Sequence, residues 1–270
     1  MMGDFLPPFA AAMMAWFFAT GAILWLDRRP EESWGASMLG ATILSGFAFA
    51  VVLISAESGS VLAAYSGFVA TILLWGWHEL SFLMGFVTGP RREVCPADAT
   101  GWRRFKLATA TLIHHEIALA LTALVLVLVT WGQPSQIAAW TFLLLFGMRL
   151  STKFNIFLGV PQFSDEMLPD HLSYLRSYFR ESRGNPLLPF SAIASLGVTA
   201  LFGWFALQAP AGSGAQVQYQ LLTALSLLGV VEHAFLLLPV RDSALWTWLV
   251  GRGGQETSPV ARVIRISEGD

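Results

Sequence analysis

The sequence predicts an all-α polytopic membrane protein with seven transmembrane helices, and three observations support this fold class. Of the 270 residues, 55% are hydrophobic and only 13% are charged, whereas soluble domains average about 25% charged residues. Seven apolar runs are each near or above the roughly 20 residues that a helix needs to cross a bilayer. The connections between these runs alternate between segments that carry Arg or Lys and segments that carry neither.

Hydropathy over a window of about 19 residues places the spans in chain order. The first run follows an acidic residue, Asp4, without a preceding basic segment, so we interpret it as a retained span and not as a cleaved signal. The third, fifth and seventh runs exceed about 20 residues and are expected to tilt or to project from the bilayer. The predicted spans are Phe5–Leu26, Ala36–Ala56, Val61–Val87, Leu107–Trp131, Ile137–Val160, Leu188–Leu207 and Val217–Val240.

The charges of the connections predict the orientation. DRRPEESWG, TGPRREVCPADATGWRRFK, residues 160–186 and the tail after Arg241 carry Arg or Lys, but AESGS, WGQPS and QAPAGSGAQ do not. Of the 16 basic residues, the 14 outside the spans all fall on one side of a seven-span arrangement, and Arg149 and Lys153 lie in the half of the fifth span nearest that side. The positive-inside rule therefore predicts an outside N-terminus and a cytoplasmic C-terminus. We expect one transmembrane domain, 1–240, followed by a cytoplasmic tail, 241–270.

The cytoplasmic connection between the fifth and sixth spans, 161–186, is predicted to contain a short amphipathic helix. Pro169 suits a first helical position, and apolar residues then recur at helical spacing. We expect this helix to lie at the inner membrane face with its arginines toward lipid head groups. The apolar residues are Leu168, Leu172, Leu175 and Phe179, and the arginines are Arg176, Arg180 and Arg183.

Ionisable residues lie at a similar depth in four of the predicted spans. At 1.5 Å per residue, His78, His115 and Glu232 are each on the order of 13 Å from the adjoining cytoplasmic connection. Ionisable groups in lipid are costly and must face one another, so we expect these side chains to meet in one polar layer. Its members are His78, Glu79, His115, Glu116, Arg149, Lys153, Glu232 and His233.

Two interpretations of this polar layer stay open. In one, its imidazoles and carboxylates ligate a metal ion or a cofactor, as in the cores of helix bundles. In the other, a buried network of salt bridges and hydrogen bonds only orients the helices. Arg149 and Lys153, four residues apart, would neutralise the glutamates or bind an anion. The candidate metal ligands are His78, Glu79, His115, Glu116, Glu232 and His233.

The charges within the layer do not balance if all are ionised. Three glutamates face two cations, which leaves one negative charge that a bound cation or one protonated carboxylate would offset. The sequence contains no HExxH, GxSxG, P-loop or paired CxxC motif, so no residue is assigned a catalytic role.

Several blocks of this sequence resemble the PuhE-type proteins of purple phototrophic bacteria, which are described as photosynthetic complex assembly proteins. These blocks are WHELSFLMGFVTGPRR, IHHEIAL, MRLSTKFNIFLGVP, LPDHLSYLRSYF and NPLLPFS. The resemblance runs from the first span to the seventh. It implies a multi-pass protein of the bacterial inner membrane, cytoplasmic or intracytoplasmic, that is linked to reaction-centre assembly and bacteriochlorophyll supply. It brings no established catalytic residues.

The resemblance also adds a candidate cargo for the layer, because histidine on a membrane helix ligates the Mg of a chlorin or the Fe of a haem. We expect a metal ion (Fe or Zn), haem or bacteriochlorophyll at His78, His115 and His233, with Arg149 and Lys153 offsetting charge or meeting a propionate. The expected partners are membrane lipids, reaction-centre or light-harvesting subunits and pigment-synthesis enzymes, and no nucleic acid.

Three alternatives remain from the sequence. The first is a membrane metalloenzyme in which Fe or Zn oxidises or hydrolyses a lipid-soluble substrate. The second is a chaperone-like scaffold whose polar layer is purely structural. The third is a transporter with an ion relay, which the absence of paired half-helices and inverted repeats in the sequence disfavours.

Overall fold

The computed structural model describes residues 5–161, 168–180, 182 and 184–237, and the regular structure within these ranges is helical. Two 3₁₀ helices accompany the α-helices, namely Glu31–Ser33 and a longer one, Asp170–Tyr178, which we term the connecting 3₁₀ helix. The α-helices are α1 (Leu6–Asp27), α2 (Trp34–Ala56), α3 (Val61–Leu83), α4 (Gly101–Ala110), α5 (Ile113–Thr130), α6 (Ile137–Leu158), α7 (Leu187–Gln208) and α8 (Gly214–Leu237).

Among the described residues, seven helices, all except the short α4, are long and apolar enough to cross a membrane. The prediction of a helical chain with seven long apolar helices is confirmed, and we treat the chain as a multi-pass membrane protein. The bounds of α1, α2, α6 and α7 agree with the predicted spans to within two residues. The predicted tail, 241–270, and the end of the seventh predicted span at Val240 lie outside the described residues.

The fourth predicted span, Leu107–Trp131, is wrong in its first part, because the chain forms two helices that are separated at Thr111 and Leu112. The loop that follows α3 packs into this break. The His115 backbone N–H donates to the Thr88 carbonyl oxygen at 3.1 Å, and the Arg91 N–H donates to the Ala110 carbonyl oxygen at 3.1 Å. The loop therefore satisfies backbone groups at the break, which would otherwise be costly inside a membrane.

Helix α3 ends at Leu83, four residues before the predicted Val87, because a Schellman motif closes it. The Phe86 N–H donates to the Ser81 carbonyl oxygen at 2.9 Å, and the Gly85 N–H donates to the Phe82 carbonyl oxygen at 2.9 Å. Gly85 has the positive φ (75°) that this motif requires. The termination lets the following loop turn back toward α4 and α5.

Helices α3 and α8 form the centre of the bundle. Half of the membrane-spanning window of each is buried, compared with 11–28% for the other five spans. Helix α3 contacts α1, α2, α5, α6 and α8, while α8 also contacts α1, α6 and α7. Phe68, Leu221 and Leu225 are fully buried where the two helices meet their neighbours. Since lipid is as apolar as these side chains, close packing and polar contacts hold the helices together.

The short amphipathic helix that was predicted in this connection is a 3₁₀ helix in the structure, the connecting 3₁₀ helix. Its period of three residues brings Leu172, Leu175 and Tyr178 onto one buried face, although 3₁₀ helices of nine residues are uncommon. The Tyr178 hydroxyl accepts a hydrogen bond from Arg91 Nε at 2.8 Å and donates one to the Glu93 carbonyl at 3.1 Å. The helix is thereby docked on the loop after α3. Arg183, one of the predicted lipid-facing arginines, lies outside the described residues.

Candidate functional site

Helix α6 supplies the central part of the polar layer. Over little more than one and a half turns it presents polar side chains that bond to α3, α5, α7 and α8. Residues three or four apart share a helix face, while those between them diverge, so one segment of α6 reaches several neighbouring helices. The residues are Arg149, Ser151, Thr152, Lys153 and Asn155. The expected convergence of α3, α5, α6 and α8 at one depth is therefore present as side-chain contacts.

Arg149 lies between two glutamates from different helices. Its Nη2 is 3.3 Å from Oε2 of the buried Glu79 on α3, and its Nη1 is 3.9 Å from Oε1 of Glu232 on α8. The same Glu232 oxygen accepts a hydrogen bond from the Thr152 hydroxyl at 3.2 Å. Ion pairing and hydrogen bonding thus join α3, α6 and α8.

Lys153 and Glu116 form a second ion pair, which joins α6 to α5. Lys153 Nζ is 2.6 Å from Glu116 Oε1, and the two side chains are only 22% and 13% exposed. The ammonium also lies 5.8 Å from the centre of the Phe82 ring on α3. Both cations of the layer are therefore engaged by carboxylates, and the third carboxylate shares Arg149.

His115 occupies the most enclosed position in the layer. Its side chain is fully buried, packs against Phe82 with ring centres 4.7 Å apart, and has Nε2 3.9 Å from Glu79 Oε1. Neither imidazole nitrogen has a hydrogen-bond partner among the described residues, nor do Glu79 Oε1 and Glu116 Oε2. Buried polar atoms without partners are costly, on the order of 1–3 kcal/mol each. These atoms, together with His78 Nδ1 and Asn155 Oδ1, give the layer spare capacity to bind.

The other two predicted histidine ligands are engaged by hydroxyl groups. His78 Nε2 is 2.9 Å from the Thr122 hydroxyl on α5. His233 Nε2 is 2.9 Å from the Ser151 hydroxyl, and its Nδ1 is 2.7 Å from the Gly229 carbonyl oxygen. Because a carbonyl only accepts, Nδ1–H donates to Gly229 and Nε2 accepts from the hydroxyl.

The candidate metal ligands thus share a layer without forming a closed coordination set. In the part of the chain that the structure describes, no group of three or more His, Cys, Asp or Glu side chains is arranged to hold a metal ion. Among the six candidates, His115 and Glu79 are the pair that lies closest to a ligating arrangement.

Two asparagines that the sequence did not single out as site residues complete the layer. Asn155, fully buried on α6, donates from Nδ2 to the Ser191 hydroxyl of α7 at 2.9 Å. Asn185 donates to the Gly159 carbonyl at 2.7 Å and accepts from the backbone N–H of Leu187 at 2.9 Å. Asn185 therefore caps the start of α7 and fixes it to the end of α6. The Asn-Pro dipeptide at 185–186 is the sequence signal for such a cap.

A crevice of about 420 Å³ opens between α6, α7 and α8. Its outer residues, Leu143, Gly147 and Phe190, are exposed, so it faces the surrounding lipid. Four serine hydroxyls line it, at Ser151, Ser191, Ser195 and Ser226. Because Ser151 also contacts His233, the crevice adjoins the polar layer on the α8 side.

Comparisons with known proteins show similarity to one family and to one curated relative over most of this chain. The family model described as "Protein of unknown function (DUF3623)" matches residues 2–257. A curated relative from Rhodobacter capsulatus, named "Uncharacterized 30.4 kDa protein in puhA 5'region", is 37% identical over 243 residues, which are 88% of each chain. No solved structure matches this chain.

Proposed function

This chain belongs to the DUF3623 family, and on that premise we propose that it is a multi-pass factor of the bacterial inner membrane that supports assembly of photosynthetic complexes and their supply of bacteriochlorophyll. The resemblance to PuhE-type proteins supports this role. The Rhodobacter capsulatus relative supports it independently, because its name places it in the puhA 5′ region. The expected partners are reaction-centre or light-harvesting subunits, or pigment-synthesis enzymes.

The proposed topology has the N-terminus outside and the C-terminus in the cytoplasm. The positive-inside distribution of Arg and Lys supports this orientation. It assigns the loop 84–100, α4 and the connecting 3₁₀ helix to the inner membrane face. Residues 1–240 would then form one membrane domain and 241–270 a cytoplasmic tail.

The observation that carries the mechanistic part of the proposal is the contrast between the paired charges of the layer and the unpartnered atoms around His115. Lys153 and Arg149 pair with glutamates across helices, which fixes α3, α5, α6 and α8 relative to one another. His115, Glu79 and Glu116 contribute one imidazole and two carboxylates with free acceptor atoms. Imidazole and carboxylate are ligands that Fe and Zn accept, and His115 Nε2 and Glu79 Oε1, 3.9 Å apart, are the two of these groups that lie nearest to a common centre.

A tetrapyrrole does not fit this arrangement of the layer. His115 is fully buried and packed against Phe82, so there is no open space beside its ring nitrogens for a macrocycle whose metal they would ligate. We therefore propose a single metal ion held by His115 with Glu79, the pair that lies closest to a ligating arrangement, and derive no step through a bound pigment. Arg149 and Lys153 would keep the local charge balanced, while His78 and His233 would pack and orient the helices.

Metal content and absorbance of the protein purified in mild detergent test this assignment. We expect about one equivalent of Fe or Zn per chain, and its loss in His115→Ala without loss of membrane insertion. His114→Ala is the matched control, because the neighbouring imidazole is exposed and should leave the metal in place. Full metal occupancy in His115→Ala would show that His115 is not a metal ligand. A Soret or chlorin band in the wild type would show that the protein binds a tetrapyrrole after all.

The physiological part of the proposal is tested separately by deleting the gene in its phototrophic host. We expect membranes of the deletion strain to contain less assembled pigment–protein complex, measured from their near-infrared absorbance, and a plasmid copy to restore it. Unchanged absorbance would overturn the assembly role. Unchanged absorbance would not affect the metal site, which the metal content of the purified protein tests.

A second candidate, a membrane metalloenzyme, is favoured by the crevice between α6 and α7. An opening of about 420 Å³ toward lipid that reaches the Ser151–His233 pair offers an approach for a lipid-soluble substrate. The two functions differ in one observable. Stoichiometric metal in the purified protein, combined with normal complex assembly in the deletion strain, would favour the enzyme.

A further inference from the structure

A second cavity, of about 380 Å³, lies on the cytoplasmic side of the proposed topology, where α4 meets the beginning of α5. We propose that it is a binding site for an anionic phospholipid, with the lipid phosphate on Lys106 and an acyl chain along the apolar wall. This inference rests on membrane insertion and on the inner-face assignment of α4. It depends neither on the assembly role nor on the metal at His115. The cavity is lined by Trp102, Phe105, Lys106, Thr109, Ala110 and Ile113.

The walls of this groove are held in place by contacts that do not involve lipid. Arg104 donates to the carbonyl oxygens of Phe157 at 3.1 Å and Tyr178 at 2.6 Å, and its guanidinium lies 4.2 Å from the Phe157 ring centre. Phe105 stacks on Trp102 with ring centres 4.8 Å apart. Helix α4 is thereby fixed to the end of α6 and to the connecting 3₁₀ helix. A site whose walls are already ordered loses little entropy on binding.

Lys106 is the cation that a lipid phosphate would meet. Its side chain is exposed at the rim of the groove, and its ammonium lies 5.8 Å from the Trp102 ring centre. No carboxylate pairs with it among the residues that the structure describes. A lysine ammonium beside an exposed tryptophan is typical of the membrane–water interface, where phosphate groups lie.

The neighbouring cation on α4 is already neutralised. Arg103 Nη1 is 2.6 Å from Asp98 Oδ2, and this hydrogen bond and charge hold the pKa of the Asp98 carboxyl below its ordinary value. The pair therefore stays ionised at neutral pH, and Arg103 has less charge to offer a phosphate. Lys106 and Arg103 are thus two exposed cations on one helix, of which Arg103 is paired with a carboxylate and, within the described residues, Lys106 is not.

The depth of Lys106 agrees with a head-group contact. It lies four residues, about 6 Å of helix, before the end of α4 at Ala110, and Thr111 and Leu112 then separate α4 from the first residue of α5, Ile113. Ile113 is the point where the membrane-spanning run begins. A phosphate at Lys106 therefore places the acyl chain beside Phe105 and Ile113, at the level where hydrocarbon begins.

Lipid titration of the delipidated protein, read by native mass spectrometry, tests the site. With dioleoyl-phosphatidylglycerol as the probe, we expect tighter binding than with dioleoyl-phosphatidylcholine, and a loss of about fivefold in affinity for the anionic lipid in Lys106→Gln. Lys106→Arg should restore binding. Arg103→Gln removes the same charge from the same helix and should leave the affinity unchanged.

Two results would overturn the proposal. One is equal affinity of the wild-type protein for the two lipids. The other is an equal loss in Arg103→Gln and Lys106→Gln, which would show general attraction to a basic surface and no site. Unfolding temperatures of the variants in detergent, matched to the wild type, show that a loss of binding is not a loss of fold.

Discussion

Lys153 and Glu116 are held together because neither charge has a favourable alternative inside the bilayer. The pair is short, 2.6 Å, and both side chains are mostly buried. Breaking such a pair by removing one partner leaves an uncompensated charge, whereas replacing both partners by apolar groups is often neutral. The pair therefore fixes the contact of α5 with α6 because losing either partner leaves the other charge buried without compensation.

Replacing one partner should be far more damaging than replacing both. We expect Lys153→Met to lower the free energy of unfolding by about 3–5 kcal/mol, and the double variant Lys153→Met/Glu116→Leu to recover most of this loss. Chemical unfolding in detergent, followed by circular dichroism, measures both. The exposed pair of Arg103 and Asp98 provides the control, and Arg103→Gln should change stability little. A single variant as stable as the double would contradict the buried-pair argument.

At the residue scale, depth could be predicted from the sequence but partners could not. The rise per residue placed His78, His115 and Glu232 at one level, and the helices that carry them are joined to α6 by ion pairs of Glu79, Glu116 and Glu232. The rotation of each helix about its axis is not encoded in hydropathy, so the choice of Thr122 for His78 or Ser151 for His233 had no sequence signal. Adjacent residues diverge by 100°, which is why His115 is buried while His114 is exposed.

At the scale of elements, the break between α4 and α5 depends on a glycine in another segment. A Cβ on Gly89 would meet the Ala110 carbonyl oxygen and lie 2.6 Å from the Leu112 nitrogen. Both atoms belong to backbone, which cannot move aside as a side chain can. The close approach of the loop is what brings the Thr88 carbonyl to the His115 N–H.

Gly89→Ala should accordingly separate the loop from the break. We expect a loss of about 1–3 kcal/mol in stability, the usual range for overpacking, and faster hydrogen exchange at the His115 amide. Gly197→Ala, within α7 and with open space at its Cβ, should be neutral or stabilising by up to about 1 kcal/mol. Equal stability of the two variants would show that the loop tolerates displacement.

Hydropathy predicted the membrane-spanning helices correctly because a helix in the bilayer is determined mainly by its length and its apolar composition. Seven runs became seven helices because length and composition suffice for a span. The break at Thr111 and Leu112 was missed because residues 107–112, LATATL, continue an apolar helical pattern and only a tertiary contact interrupts them. The connecting 3₁₀ helix was predicted as a short helix without its type, since Leu172 and Leu175, three residues apart, share a face at a period of 3.0 and lie near one another at 3.6.

For the whole molecule, the single cysteine allows a direct test of orientation. Cys95 is partly exposed in the loop between α3 and α4, which the proposed topology places in the cytoplasm. A membrane-impermeant maleimide should label it in inverted vesicles and not in intact spheroplasts. Glu57→Cys in a Cys95→Ser background moves the thiol to the exposed α2–α3 connection and should reverse the pattern. Labelling of Cys95 in spheroplasts would invert the proposed topology.

The order of the helices along the chain has a consequence for biogenesis. Ribosomes deliver α3 and α5 before α6, so Glu79 and Glu116 are already in the bilayer when Arg149 and Lys153 arrive. A cation at the centre of a helix opposes partitioning from the translocon by about 2.5–3.5 kcal/mol, and Arg149 lies close to the centre of α6. Glu79 and Glu116 thus enter the membrane before the two cations with which they pair. Glu232, on the last helix, then joins an arginine that is already accommodated.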